Sequence, residues 1–306
     1  MNSCGLELYA CKELLTNNRI KTNPPIAANG TVNSDIGITN GKIAAIDSNL
    51  DGKHVVNAEG LVALPGGIDS HVHISQPSGP GVEMADDFET GTRSAACGGN
   101  TTILPFCLPE QGQTLREAVA AYRKKAEGKC MTDVSFHLIV NDTDPVTIGQ
   151  DLPALIQAGY TSFKVFMTYA NLALSDRQIL EVMAVAKEHN AMIMVHAENE
   201  DAIEFLRDKA ELIGDTGPFY HAPTRPIPVE REATHRAISL AEIAGVPLTI
   251  VHVSNGETTE EIQRARQRRH QRHQRHHVFR QKRAENPVTT VLTRRHPDEK
   301  SLGLPY

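Results

Sequence analysis

Six short apolar runs, set apart by longer amphipathic stretches, restrict the possible folds of this chain more than any other feature. The runs are rich in Val, Ile, Leu and Thr and fall near residues 61–73, 101–106, 133–140, 161–167, 191–196 and 247–253. Between them lie helix-patterned segments such as "TLREAVAAYRKKAEG", "DRQILEVMAVAKEHN" and "VEREATHRAISLAEIAG". A strand followed by a helix, repeated in this way, predicts βα units and a parallel sheet. Six successive units suit a closed barrel better than an open sheet. The expected fold class is therefore α/β, an incomplete (β/α)8 TIM-type barrel of six βα units over residues 61–268.

The flanks read differently. Residues 29–65 are short β-prone runs punctuated by Asn-Gly and Asp-Gly, the chemistry of hairpins, and are expected to be part of a small β domain. Residues 1–28 show no clear element and are expected to be irregular. At the other end, residues 263–300 carry 12 Lys/Arg and 3 Asp/Glu, a charge of +9 against −15 for the rest of the chain. Residues 269–306 are poor in apolar side chains and rich in Arg and His, so a disordered basic tail is expected there beyond the helix that opens it.

Composition removes several classes of function. No apolar stretch approaches the ~20 residues that span a bilayer, and the N-terminus lacks the pattern of a secretory signal. A cytoplasmic protein without membrane partners is expected. The five cysteines form no CxxC pair, so reduced thiols are expected rather than a disulfide framework or a zinc knuckle. The twelve cations of residues 263–300 could contact phosphates, but that stretch holds one aromatic, Phe279, and no stacking platform. Nucleic acid is thus not the expected partner.

Chemistry gathers where a barrel places it, at the C-terminal ends of the strands. In "LVALPGGIDSHVHISQP", His71 and His73 stand one residue apart at the end of the first run, and i, i+2 side chains of a strand share a face. That is a metal-chelating geometry, although a polar strand end could produce it too. Lys164 lies inside the fourth run, His196 ends the fifth and His252 ends the sixth. Each has an ordinary structural reading, as a core histidine or a snorkelling lysine. Their joint register with strand ends favours a site, and a buried ammonium among apolar neighbours is the most informative member because it is costly. Conversion of that amine to a carbamate with CO2 would relieve the cost and make an anionic ligand able to bridge two cations.

The segments "PGGIDSHVH", "ADDFETGTRSAACGGNTT", "FKVFMTY", "VHAEN" and "VHVSN" together resemble the cyclic amidohydrolases of the amidohydrolase superfamily, most closely the dihydropyrimidinase/D-hydantoinase family, over about residues 29–268. The resemblance implies two zinc ions. His71 and His73 would bind one, carboxylated Lys164 would bridge it to the second, and His196 with His252 would bind the second. Tyr169, in "FKVFMTY", matches the tyrosine that hydrogen-bonds the substrate carbonyl and its developing oxyanion. The implied reaction opens a small cyclic amide or imide to an N-carbamoyl amino acid, and the implied assembly is a homo-oligomer, a homotetramer in the family. "HVHISQPSGPG" has no Arg just after the histidines to hold a substrate carboxylate, so a neutral ring such as dihydrouracil or a hydantoin is expected.

The family pattern is left after "GETTEEIQRARQR". Complete members carry a late aspartate at the end of strand 8, which ligates the first metal and shuttles a proton. Here the only aspartate after His252 is Asp298. The abrupt change resembles an altered reading frame, an unspliced intron or a truncated gene, and impaired catalysis is expected. A second class is a non-catalytic relative like the collapsin response mediators, against which the retained four histidines and Lys164 argue. Among smaller features, His137 is expected in the core, Asp86 and Asp87 at a helix start, and "GDTGPFYHAPTRP" as a loop shaping access, with His221 and Arg225 given no role.

Overall fold

The computed structural model describes residues 18–22, 26–27, 30–31, 34–58, 63–79 and 81–276, with side chains over 34–58, 63–79 and 81–268. These residues fall into two compact units, one within residues 1–105 and 123–135, the other within 106–122 and 136–306.

The first unit opens with a small sheet. Strand β1 (Asn18–Thr22) precedes the short pair β2 (Ile26–Ala27) and β3 (Gly30–Thr31), and is followed by β4 (Asp35–Thr39), β5 (Lys42–Asp47) and β6 (His54–Ala58). The sheet order is β5-β4-β1-β6, with β1 antiparallel to β4 and parallel to β6. Residues 18–22 thus form a central strand where the sequence suggested irregular chain. Both partners lie at a distance along the chain, so no hairpin signal marks β1 locally. By contrast Asn40 and Gly41, at φ 52° and 72°, make the hairpin turn that Asn-Gly announces.

The barrel-type strands begin in the same unit with β7 (Gly67–Val72), followed by helix α1 (Phe88–Cys97) and β8 (Asn100–Cys107), parallel to β7. Short β9 (Asp133–Val134) also pairs with β8. The glycines of "PGG" have a steric cause: a Cβ on Gly66 would collide with Thr101, and one on Gly67 with Asn100. Asp87 caps α1 in a reciprocal box with Thr90, as the sequence suggested for this stretch.

In the second unit the last residues of β8, Phe106 and Cys107, pair with β10 (His137–Ile139), and β11 (Ser162–Phe166), β12 (Met192–His196) and β13 (Leu248–Ile250) follow, all parallel. Helices α2 (Leu115–Ala126, its residues from Arg123 in the first unit), α3 (Leu152–Gln157) and α4 (Asp176–Glu188) lie between successive strands, α5 (Glu200–Leu212) and α6 (Ile227–Ala244) both between β12 and β13, and α7 (Gly256–His276) after β13. Every residue of β11 is buried, which explains its unbroken apolar run. Phe106, Ile139, Phe166 and Met194, one from each of β8, β10, β11 and β12, join Val251 in a single apolar cluster. Six parallel strands with intervening helices make half of a TIM-type barrel, the expected class. Helix α7 continues past Arg268 to His276, because Arg and Gln are good helix formers whatever their charge. Of the basic tail expected over residues 269–306, residues 269–276 thus extend the helix, and residues 277–306 lie outside the described residues. No helix among the described residues is long and apolar enough to cross a membrane.

Candidate functional site

The first histidine pair belongs to the first unit. His71 is the next-to-last residue of β7 and His73 lies just beyond it, and their Nε2 atoms stand 3.3 Å apart. At this distance one ring donates to the other's lone pair, and the same spacing lets both lone pairs face one cation. The Nδ1 of His73 meets Gln76 Oε1 at 2.7 Å. That contact is built by the turn that follows: Ser75 has φ 49°, its N–H donates to the Asp86 carbonyl at 3.1 Å, and Lys125 Nζ donates to its carbonyl at 3.3 Å. Buried Ile74 anchors the segment against α1, where Gly91 leaves room for its side chain.

The second unit holds the other candidates. Lys164 is 1% exposed, on the inner face of β11, level with Ile139 of β10 and Met194 of β12. Its Nζ lies 4.2 Å from the ring centre of Phe106 and 4.8 Å from that of Phe166. Two aromatic faces repay only part of a lost hydration shell, and burial pushes the ammonium down to about 7. A side chain held so near neutrality is a nucleophilic amine at ordinary pH.

His196 ends β12 level with Phe166, on which its ring stacks at 5.4 Å. His252, two residues past β13, meets His196 edge-on at 4.5 Å, and Tyr169 meets His196 edge-on at 5.1 Å. His252 as a residue is open to solvent, but its ring is crowded: loss of water, then the proximity of His196 and Lys164, hold it well below the usual imidazole range. It is therefore neutral and able to ligate. Within this unit the structure brings Lys164, His196, His252 and Tyr169 into one cluster.

Carboxylates that sequence reasoning did not single out organise that cluster. Glu198 Oε2 accepts a 2.7 Å hydrogen bond from His196 Nε2. Burial alone would raise the Glu198 carboxyl, but the hydrogen bond from His196 and the nearby Arg225 charge outweigh it and hold the group below its ordinary range. Glu200, in the first turn of α5, accepts from the hydroxyl of Thr168 and, at 2.6 Å, from the N–H of Tyr169. Burial and the Glu198 charge raise the Tyr169 phenol, with Glu200 adding and Arg225 opposing, so it stays protonated. Glu198 stood inside the quoted "VHAEN", but nothing in spacing gave it a partner. Glu200 and Gln76 had no sequence signal.

Backbone strain marks the same places. Tyr169 and His252 have φ of 72° and 39°, a region that favours glycine. Tyr169 is held there by Glu200 and by N–H donors of Leu172 and Ala173 to its carbonyl, at 2.7 and 2.8 Å. The loop after His252 is tied down by Ser254, whose N–H and hydroxyl both donate to Glu230 of α6. His137, by contrast, is a core residue, its Nδ1 2.5 Å from Ser162 Oγ.

Among the described residues, no three His, Cys, Asp or Glu side chains gather in a metal-holding group. The donor set instead comprises two histidine pairs and a near-neutral buried amine. Each pair supplies imidazole nitrogens, and in the second unit the Lys164 amine becomes an anionic oxygen ligand on carboxylation; donors of these kinds suit zinc.

Residues 62–223 match the model of the amidohydrolase family. The D-hydantoinase of Streptomyces coelicolor is 43% identical over 249 residues, covering 79% of this chain and 53% of that protein. The D-hydantoinase of Geobacillus stearothermophilus is 45% identical over 252 residues, with 81% and 53% covered. The chain thus spans about half the length of the curated relatives it matches. A solved D-hydantoinase superposes with a TM-score of 0.80 at 42% identity, covering 83% of this chain and 55% of that one. The dihydropyrimidinase of Brevibacillus agri does so at 0.79 and 39%, with the same coverage.

Proposed function

Since the chain belongs to the amidohydrolase family, on its hydantoinase and dihydropyrimidinase branch, we propose that its site is that of a metal-dependent hydrolase opening cyclic amides and imides, such as a hydantoin or dihydrouracil, to N-carbamoyl amino acids. The observation that carries this reading is Lys164: a buried amine with a pKa drawn down to about 7, beside two histidines at strand ends. A solely structural role gives no return for the cost of burying that charge.

His71 and His73 would hold one zinc ion, His196 and His252 a second, with carboxylated Lys164 as their common ligand. To form that ligand, the neutral amine bonds through Nζ to the carbon of CO2 and releases one proton, leaving a carbamate anion. Bound zinc supplies Lewis acidity, which acidifies water and polarises a carbonyl. The chain's own residues do the rest. The Tyr169 phenol, protonated at neutral pH and fixed by Glu200, donates to the substrate carbonyl and to the oxyanion that develops from it. Neutral His252 offers a lone pair without first losing a proton.

The test is elemental analysis of the purified chain and of Lys164→Ala, each after exchange into metal-free buffer and reloading with zinc. Two zinc ions per chain, falling sharply in the variant, support the reading, and ring opening of dihydrouracil or hydantoin in the same samples would fix the substrate class. A folded wild-type chain that holds no more zinc than Lys164→Ala would overturn it. The Arg/His run "QRRHQRHQRHH" can bind zinc unspecifically, and the variant, which retains it, subtracts that background.

A further inference from the structure

We propose that Glu198 and Arg225 form a positioning relay that selects the ring tautomer of His196 and thereby prepares this histidine for a divalent cation. The inference rests on the reading of His196 as a metal ligand and adds two residues to it.

An imidazole can offer a lone pair from only one nitrogen at a time, and the proton on the other decides which. At His196, Nε2 lies 2.7 Å from Glu198 Oε2. A carboxylate only accepts, so Nε2 must carry the proton and Nδ1 is left as the donor to a cation. The contact is sheltered, with the two side chains 11% and 15% exposed, so water competes poorly for either partner. The ring is further fixed by stacking on Phe166 and by the edges of Tyr169 and His252.

Glu198 in turn has a partner. Arg225 Nε stands 3.7 Å from its other oxygen, Oε1. The Arg225 head is held by its own loop: Nη1 lies 3.2 Å from His221 Nδ1, 3.3 Å from Thr224 Oγ1 and 3.4 Å from the His221 carbonyl. Its Nε is buried without a hydrogen-bond partner, and the facing carboxylate is the group that compensates it. The loop after α5 is thereby linked through one arginine and one glutamate to a histidine at the end of β12. This gives a role to Arg225 and to the Pro/Gly loop that carries it. Outer contacts of this kind fix ligand orientation and raise ligand basicity.

The test uses the full chain and two readouts: zinc affinity by competition with a chromophoric chelator, and the His196 tautomer from imidazole nitrogen shifts in the metal-free protein. Glu198→Ala should weaken zinc roughly 10- to 100-fold and release His196 from a single Nε2–H form into a mixture. Glu198→Gln keeps an acceptor oxygen and should retain the tautomer with a smaller loss. Arg225→Ala should weaken zinc about threefold, leaving the tautomer in place. A folded Glu198→Ala protein with the wild-type tautomer overturns the relay, whatever the zinc result. His252→Ala separates the two layers of argument. If it weakens zinc while Glu198→Ala does not, the relay fails and the metal reading stands; if neither does, the metal reading fails and the tautomer alone decides the relay.

Discussion

The two histidine pairs are assembled by different means. His71 and His73 are neighbours on one strand end, near solvent, with a glutamine as the outer partner. His196 and His252 come from two strands, meet edge-on, and sit with a buried lysine, an acidic outer partner and strained backbone. The first pair needs only the alternation of a strand, whereas the second needs the register of a sheet and the loops above it. A site built through tertiary contacts can hold groups in costly states, such as a near-neutral lysine, because many neighbours share in fixing it.

The largest effect expected from this contrast is at Lys164. With a folded value of about 7 against the ordinary 10.5, the unfolded chain holds more protons between those two values. Stability of the metal-free protein therefore rises with pH across that window, and the cost reaches its full size below pH 7. Lys164→Met should raise stability at pH 7 by on the order of 4 kcal/mol and flatten the rise. Urea unfolding of both proteins at pH 7 and pH 10, with chelator and without CO2, decides it; equal pH dependence in the two would break the contrast.

In the first unit the costly feature is steric. Gly66→Ala should destabilise by about 2 kcal/mol, because its Cβ meets the Thr101 side chain and the start of β8 must shift. Thermal unfolding would show this, and a neutral substitution would mean that β7 and β8 approach less closely than described. A smaller effect belongs to the second unit at Gly245, the left-handed cap of α6 with φ 71°. Since the added methyl meets only Lys187 at 3.9 Å, Gly245→Ala should cost about 1 kcal/mol from backbone strain alone. The smallest is at Gln76, where the hydrogen bond to His73 is solvent-exposed. In a His252→Ala background, Gln76→Ala should weaken zinc about threefold, well short of the loss expected at Glu198. Equal losses at the two positions would erase the distinction between an exposed and a sheltered outer contact.

Much of this was legible before any coordinates. The six strands of the half-barrel follow from apolar runs because both faces of such strands are covered, and the helices follow from their amphipathic period. His71 and His73 declared their shared face by spacing alone. Strand β1 was not legible, since its partners are residues 35–38 and 54–58 and neither forms a hairpin with it. Nor were Glu200 under Tyr169 or Glu198 beside His196, whose roles depend on carboxylates meeting groups that arrive from loops and neighbouring strands. The positive φ of Tyr169 left no trace either, because tyrosine is not a residue that signals a left-handed turn.

The sequence by itself determined the class of fold, the order of its strands and the residue types that stand at their ends, because periodicity and turn chemistry act over a few neighbouring residues. Only the tertiary structure decided the states of those residues: that Lys164 is nearly neutral, that His196 is turned by Glu198, that Tyr169 is held in a strained conformation. Burial, ring contacts and hydrogen bonds between distant segments set protonation and tautomer, and these exist only once the strands are side by side.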